Sequence, residues 1–266
     1  MNGYLFNITL CHKLPMLVVR EGDEFFSGGN KFYFFKTFSE KFNFTIRYIK
    51  IFDNGKLSIR SQDMMKSVQT SISEITTFPM MLGAILYKSK LIIGKAFMDD
   101  NLVMIAPILK NSFEVIRQEE VTFDVIKELD NPTFPVYMNT LFFTSNVHLK
   151  NDEMVNKLIS KTTHVTESKV CTDYLIENRN CTCIVLASLA NFVLGEYRNY
   201  DSTPIVRIVY PSVHTDLLAF GFKKGSPYVE KFDSVLQRIM ESGIHHTWRY
   251  GGTYSHLKNP AEIIHT

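Results

Sequence analysis

The sequence has no apolar run long enough to cross a membrane, no block of basic residues, and none of the common catalytic signatures. Its most apolar stretch, Cys183 to Gly195 (CIVLASLANFVLG), falls well short of the roughly 20 residues that span about 30 Å of hydrocarbon. Basic and acidic residues nearly balance, 29 against 27 with a net charge of +2. Without a dense Lys/Arg patch there is no electrostatic case for nucleic acid as a partner. A GxSxG elbow, a Walker loop, an HExxH pair and a GxGxxG after a strand are all missing. No base, nucleophile or oxyanion site can be named, so the chain does not read as an enzyme and no cofactor is implied. His245-His246 and Cys11-His12 are adjacent pairs, a spacing that rarely turns both side chains to one metal, and they read as surface or capping residues. There is no internal repeat and no low-complexity tract.

Cysteine is sparse, with Cys11, Cys171, Cys181 and Cys183, and does not decide the redox compartment. Cys181 and Cys183 point to one side of a strand, and Cys171 can pair with either. Buried free thiols are the first reading, a disulfide the second, and a metal site the last, because the CxC has no partner cluster. Sequons stand at Asn7-Ile8-Thr9, Asn43-Phe44-Thr45 and Asn180-Cys181-Thr182. They agree with an extracellular surface but carry little weight in a chain this rich in Asn, Ser and Thr. The opening MNGYLFNITLCHKLPMLVV has no basic leader, continuous apolar core or small-residue cleavage site, so no secretory signal is read there.

What is present is a globular composition, 45% hydrophobic and 21% charged, over 266 residues. That length suffices for one large domain or two lobes, each with its own core. Tyr4 to Leu10 alternates as a strand and is followed by Leu14-Pro15-Met16-Leu17-Val18-Val19. After a break at Gly28-Gly29, Phe32, Phe35, Phe38 and Phe42 recur at helical spacing and predict a core stripe. Phe44 to Ile49 reads as a second strand, and Asp63 to Ile75 as a helix with Met64, Val68, Ile72 and Ile75 on one face. Farther on, Val121 to Asn131 reads as a helix, Val136 to Phe143 as a strand, Thr144-Ser145-Asn146 as a turn and Asn151 to Ser160 as a helix. A helical piece from Asp173 to Arg179 and a buried strand from Thr182 to Leu186 follow. Strands feeding short turns and helices predict an α/β sheet with binding at the strand ends.

The clearest signal lies in Gly221 to Trp248, GFKKGSPYVEKFDSVLQRIMESGIHHTW. Ser226 suits a helix cap and Pro227 the first helical position. Val229, Phe232, Val235, Leu236, Ile239 and Met240 then recur at helical spacing until Gly243 stops the run.

This segment, with the LLAFGF strand before it and the lone Trp after it, resembles the closing element of the ligand-binding domain of ionotropic glutamate receptors. It is most similar to the arthropod chemosensory ionotropic receptors. The Asn-Phe-Thr strand opening at Asn43 resembles the family's "lnFt" strand, and Gly94 to Pro107 (GKAFMDDNLVMIAP) its "SKPFxxxxLxxxxP" stretch, with Ala96 in place of the usual Pro. The resemblance covers nearly the whole chain by order of elements. Its specific residues are concentrated in Gly221 to Trp248. Between Pro107 and Val121 stands a short polar connector where the family carries its pore helices, so the two binding-domain halves look joined without the pore.

The resemblance implies a bilobed α/β clamshell of the type II periplasmic-binding-protein kind. Lobe one would be residues 1–107 plus 212–266 and lobe two residues 108–211, with a hinge and a small ligand between them. It implies the extracellular side of the plasma membrane for a parent ligand-gated channel, with membrane contact only through the pore segments that this chain lacks. It further implies co-receptor subunits in a tetramer and a small-molecule ligand, an odorant or tastant with an acid or amine group. In amino-acid-binding members an arginine clamps the ligand carboxylate in a two-pronged pair and an acid of the second half holds the amine. Those positions fall here on Tyr87, with Lys88 beside it, and near Ala187 and Ser188. Lysine attracts a carboxylate but cannot reproduce the fork, and no carboxylate stands at Ala187. The remaining candidate contacts are Thr144, Ser145 and Asn146, whose free amides after a strand suit a polar or anionic head. The alternatives are a ligand-free co-receptor assembly module and a free-standing solute-binding protein.

Overall fold

A computed structural model describes residues 3–10, 17, 32–53, 56–57, 61–82, 90–108, 135–139, 160–166, 168–198, 202–245 and 247–248. The chain divides into two compact units, Met1–Met98 with Leu217–Thr266, and Asp99–Asp216. The boundaries expected near Pro107 and Ser212 thus shift to 98/99 and 216/217. The reason is that strand β7 (Met98–Pro107) pairs along Leu102–Ile105 with β10 (Thr182–Leu186) of the second unit, so most of it belongs there.

In the first unit, β1 (Leu5–Leu10) and β2 (Thr45–Lys50) pair in parallel, joined by helix α1 (Phe32–Phe42). On the other side of β1 the segment around Ile75 bridges in parallel to Ile8 and in antiparallel fashion to Phe222 of β12 (Gly221–Phe222). β12 pairs in turn with β6 (Ile92–Ile93). Backbone bonds hold this seam together: Glu74 N–H donates to the Asn7 carbonyl at 2.9 Å, and Thr76 N–H to the Gly221 carbonyl at 2.7 Å. The approach at Gly221 is close: a Cβ there would stand 2.8 Å from the tip of the Leu91 side chain, which would have to move. The unit also holds a short hairpin, β3 (Phe52–Asp53) with β4 (Lys56–Leu57). Strand β5 (Met80–Met81) pairs with the last residues of β11 (Val206–Ala219).

Helix α2 covers Ser61–Gln69 and ends earlier than the apolar spacing to Ile75 predicts. Ser71 turns the chain at φ +62°, and the Ser67 carbonyl accepts the N–H groups of both Ile72 and Ser73. Met64 and Val68 are buried as expected, whereas Ile72 is 45% exposed and Ile75 joins the sheet.

The expected C-terminal helix is present as α5, Val229–Glu241. It starts two residues after Pro227: Ser226 Oγ accepts the Tyr228 N–H at 3.4 Å, closing a turn that leads into it. At the far end Gly243 adopts φ +71° and donates to the Met240 carbonyl, a glycine stop of the predicted kind. The apolar face of α5 carries Phe232, Val235, Leu236 and Ile239 into the core. Phe232 is its centre, with ring centroids of Phe38 at 4.2 Å, Phe6 at 5.4 Å, Phe42 and Phe222 at 5.7 Å and Phe44 at 6.3 Å. Thus β1, α1, β12 and the turn that leads into β2 all meet one side chain of α5. Trp248 stacks on Tyr33 and meets Phe34 edge-on, fastening the end of the described chain to α1.

In the second unit the strand order is β11-β7-β10-β8-β9. β10, β8 (Val136–Asn139) and β9 (Thr162–Val165) run parallel, and β7 runs antiparallel to β10. Helix α3 (Ser168–Asn178) connects β9 to β10, and α4 (Ala187–Glu196) leaves β10 directly. Helix α3 begins before the expected Asp173 and ends where Arg179 turns at φ +53°. The polar TTHV strand β9 gives no apolar alternation and escapes a sequence reading. Residues 144–146, the helices expected at 121–131 and 151–159, and residues 83–89 lie outside the described residues. Among the described residues no helix is long and apolar enough to cross a membrane.

Candidate functional site

Open α/β sheets bind ligands at the carboxyl ends of their parallel strands. In the second unit those ends are Leu186 of β10, Asn139 of β8 and Val165 of β9. Asn139 is buried, and its side-chain amide donates to the Thr166 carbonyl at 3.1 Å, tying two strand ends together. The chain then runs from Asn139 toward Thr144, Ser145 and Asn146, which lie outside the described residues, as do Tyr87 and Lys88.

Ala187 and Ser188 open α4, so the position where the resemblance places an acid is the first turn of a helix headed by alanine. No side chain of α4's own caps that end. A carboxylate does reach it, from another strand: Asp100 of β7, 4% exposed, accepts the Ser188 N–H at 3.3 Å. A buried acid at a helix start answers both the unsatisfied amides and the positive end of the helix dipole. Its neighbour Asn101 accepts a hydrogen bond from Thr215 Oγ1 at 2.6 Å, which links β7 to β11 beside it. Asp100 went unnoticed in the sequence, yet it had a signal. In β7 it alternates with buried Leu102 while Asp99 and Asn101 face out, so a period-two reading puts this acid on the inner face.

The second cluster is sulfur. Cys171 of α3 and Cys183 of β10 form a disulfide, and Cys181 is a buried free thiol. This corrects the preference for free thiols throughout. The CxC does have a partner, because α3 folds back along β10 and the three sulfurs lie within 4.8 Å of one another. With two of them bonded, one thiol remains, too few ligands for a structural zinc site. Burial pushes the Cys181 thiol up to about 11, which keeps it protonated and unreactive at neutral pH.

In the first unit the polar residues near the strand ends are committed to structure. Both carboxylate oxygens of Asp233 on α5 accept the Lys95 N–H, each at 3.0 Å. Burial raises this carboxyl above the usual range, while the hydrogen bond and charge of Lys95 pull it down. Gly94 is required there, because a Cβ would sit 2.7 Å from Asp233 Oδ1. Buried Glu74 pairs with Lys223 at 2.9 Å and accepts the Tyr4 hydroxyl at 3.3 Å. Thr77 Oγ1 donates to the Thr9 carbonyl at 2.7 Å, and Thr76 Oγ1 accepts the Gly221 N–H at 3.0 Å. These groups lock the 73–77 segment that leads toward Tyr87.

No family model and no curated protein sequence matches the chain. Solved structures do. The glycine complex of an ionotropic glutamate receptor ligand-binding domain from Pleurobrachia bachei superimposes with a TM-score of 0.71 at 13% identity, over 94% of this chain and 96% of that one. The D-serine complex of such a domain from Mnemiopsis leidyi gives 0.70 at 16%, over 95% and 99%. A reconstructed ancestral cationic amino acid solute-binding protein gives 0.61 at 11%, over 94% and 95%. The fold is the bilobed α/β fold that ionotropic glutamate receptor ligand-binding domains share with solute-binding proteins.

Proposed function

We propose that the chain is the ligand-binding domain of a ligand-gated ion channel of the chemosensory ionotropic receptor type. On the extracellular side of the plasma membrane it binds a small molecule without chemical turnover, and the resulting closure of the clamshell is passed to the pore of the channel. The observation that carries this reading is the match over nearly the full length of both chains to receptor domains solved with glycine and D-serine. The Gly221 to Trp248 segment adds to it, since it folds into the amphipathic helix that carries the resemblance.

The ligand contacts we assign are Tyr87, Lys88, Thr144, Ser145 and Asn146. The Asp100 carboxylate already occupies the start of α4, so an anionic head group is not taken there. It falls instead to Lys88 and the amides of the 144–146 turn. A ligand shifts closure only through its different affinity for the two states. Calorimetry combined with small-angle scattering, over a panel of acids, amines and amino acids, tests this. At least one compound should give a binding heat and a smaller radius of gyration, both weakened by Lys88→Ala. A panel without heat or compaction overturns ligand-driven closure.

A second reading, a co-receptor module that binds no ligand, is favoured by Ala187 standing first in α4 where an acid was expected. It predicts association with a co-receptor domain in sedimentation, and silence in calorimetry.

A further inference from the structure

The fold separates the three sequons sharply. Asn7 lies in the middle of β1, and its carbonyl accepts hydrogen bonds from Glu74 N–H and Ser73 Oγ. Its side-chain oxygen is buried with no hydrogen-bond partner among the described residues. Thr9, the hydroxyl member of that sequon, is 2% exposed and bonded to Ser67. A sugar on Asn7 would break the seam between β1 and the 73–77 segment. Asn180 is exposed, but its sequon runs straight into β10: Cys181 and Thr182 are buried and Cys183 is in the disulfide. The Thr182 hydroxyl is therefore reachable only before that strand pairs.

Asn43 is different. It occupies the turn between α1 and β2 at φ +49°, a left-handed conformation that asparagine tolerates better than most residues. Asn43 and Thr45 are both exposed, and only the middle residue, Phe44, is buried. Phe44 N–H donates to the Ser39 carbonyl, and Ser39 Oγ donates to the Phe44 carbonyl at 2.8 Å. The two chemically required members of the sequon thus face solvent on a turn pinned from beneath. The turn also heads β2, which among the described residues pairs only with β1.

We propose that Asn43 is an N-glycosylation site. The claim rests on the extracellular reading above. In the reaction, Asn43 Nδ2 forms a bond to the anomeric carbon of a lipid-linked oligosaccharide diphosphate. The carbon–oxygen bond to the diphosphate breaks, the lipid diphosphate leaves, and the amide gives up one proton.

The test is secretion of the 266-residue chain from insect cells behind an appended cleavable leader, followed by peptide mass mapping before and after amidase deglycosylation. Asn43 should be glycosylated and converted to Asp by the amidase, Asn7 should be unmodified, and Asn43→Gln should remove the mass of one glycan. Should the variant fail to be secreted, site occupancy in the unaltered chain decides. An unmodified Asn43 in secreted protein overturns the proposal, and so does a glycan at Asn7. Because the leader sends the chain through the glycosylating compartment whatever its native address, a negative result counts against this site alone. The ligand-binding reading stands or falls on the calorimetry.

Discussion

The two units are built from similar elements but are held together differently. In the first, five phenylalanine rings from β1, α1, β12 and the turn before β2 meet around Phe232 of α5, with no disulfide among its described residues. In the second, the described aromatic contact is the Tyr137–Tyr174 pair, and a disulfide ties α3 to the central strand β10. An aromatic core gains its strength from buried area that many elements share, so removing one hub loosens all of them. A disulfide acts at one place, mostly by restricting the unfolded chain.

The largest effect should therefore come from Phe232→Ala. Truncating a fully buried phenylalanine costs about 3–5 kcal/mol, and Phe232 is 1% exposed. Amide exchange should speed up in β1, α1 and α5 and change little in β10 and α3. Equal loss of protection in both units would show that they unfold as one, and the contrast drawn above would fail.

The same contrast explains what could be read from the sequence. The first unit announces itself, because Phe35, Phe38, Phe232, Leu236 and Ile239 repeat at helical spacing, and Gly243 ends α5 by a local mechanism. The second unit's features come from topology. Strand β9 is polar and lies at the sheet edge, so no alternation marks it. Cys171 meets Cys183 only because α3 returns along β10. Asp100 caps a helix 88 residues away in sequence. Nothing local in the sequence encodes such meetings, although the CxC and the alternation in β7 set half of each. The predicted ligand contacts lie outside the described residues.

The disulfide gives the next effect. It closes a short loop, with 12 residues of sequence separation, for which chain entropy predicts about 3 kcal/mol. Cys171→Ser should cost about that much, localised to the second unit in denaturant titrations followed by exchange. Cys183→Ser should cost less, because Cys181 lies within 4.8 Å of Cys171 and can form the replacement bond. Peptide mapping of this variant should find a Cys171–Cys181 pair. Two free thiols there after oxidative refolding would show that strand geometry reserves the bond for Cys183 alone.

The smallest effect, negligible at neutral pH, belongs to Cys181. Its thiol is pushed up by burial from 9.0 to about 11, so between those values the unfolded chain has released a proton that the folded chain keeps. Stability must then fall as pH rises through this window, since the unfolded state binds fewer protons. The contribution is intact below pH 9 and is lost progressively up to about 11, the opposite of what a salt-bridged carboxylate does at low pH. Cys181→Ala should remove that part of the alkaline slope without adding one elsewhere, measured as denaturation midpoints from pH 8 to 10.5. The same burial predicts that alkylating reagents leave Cys181 untouched in the folded protein at pH 8 and modify it once the second unit is unfolded. If Cys181 is alkylated as fast in the folded protein as in denaturant, the sulfur cluster is open to solvent.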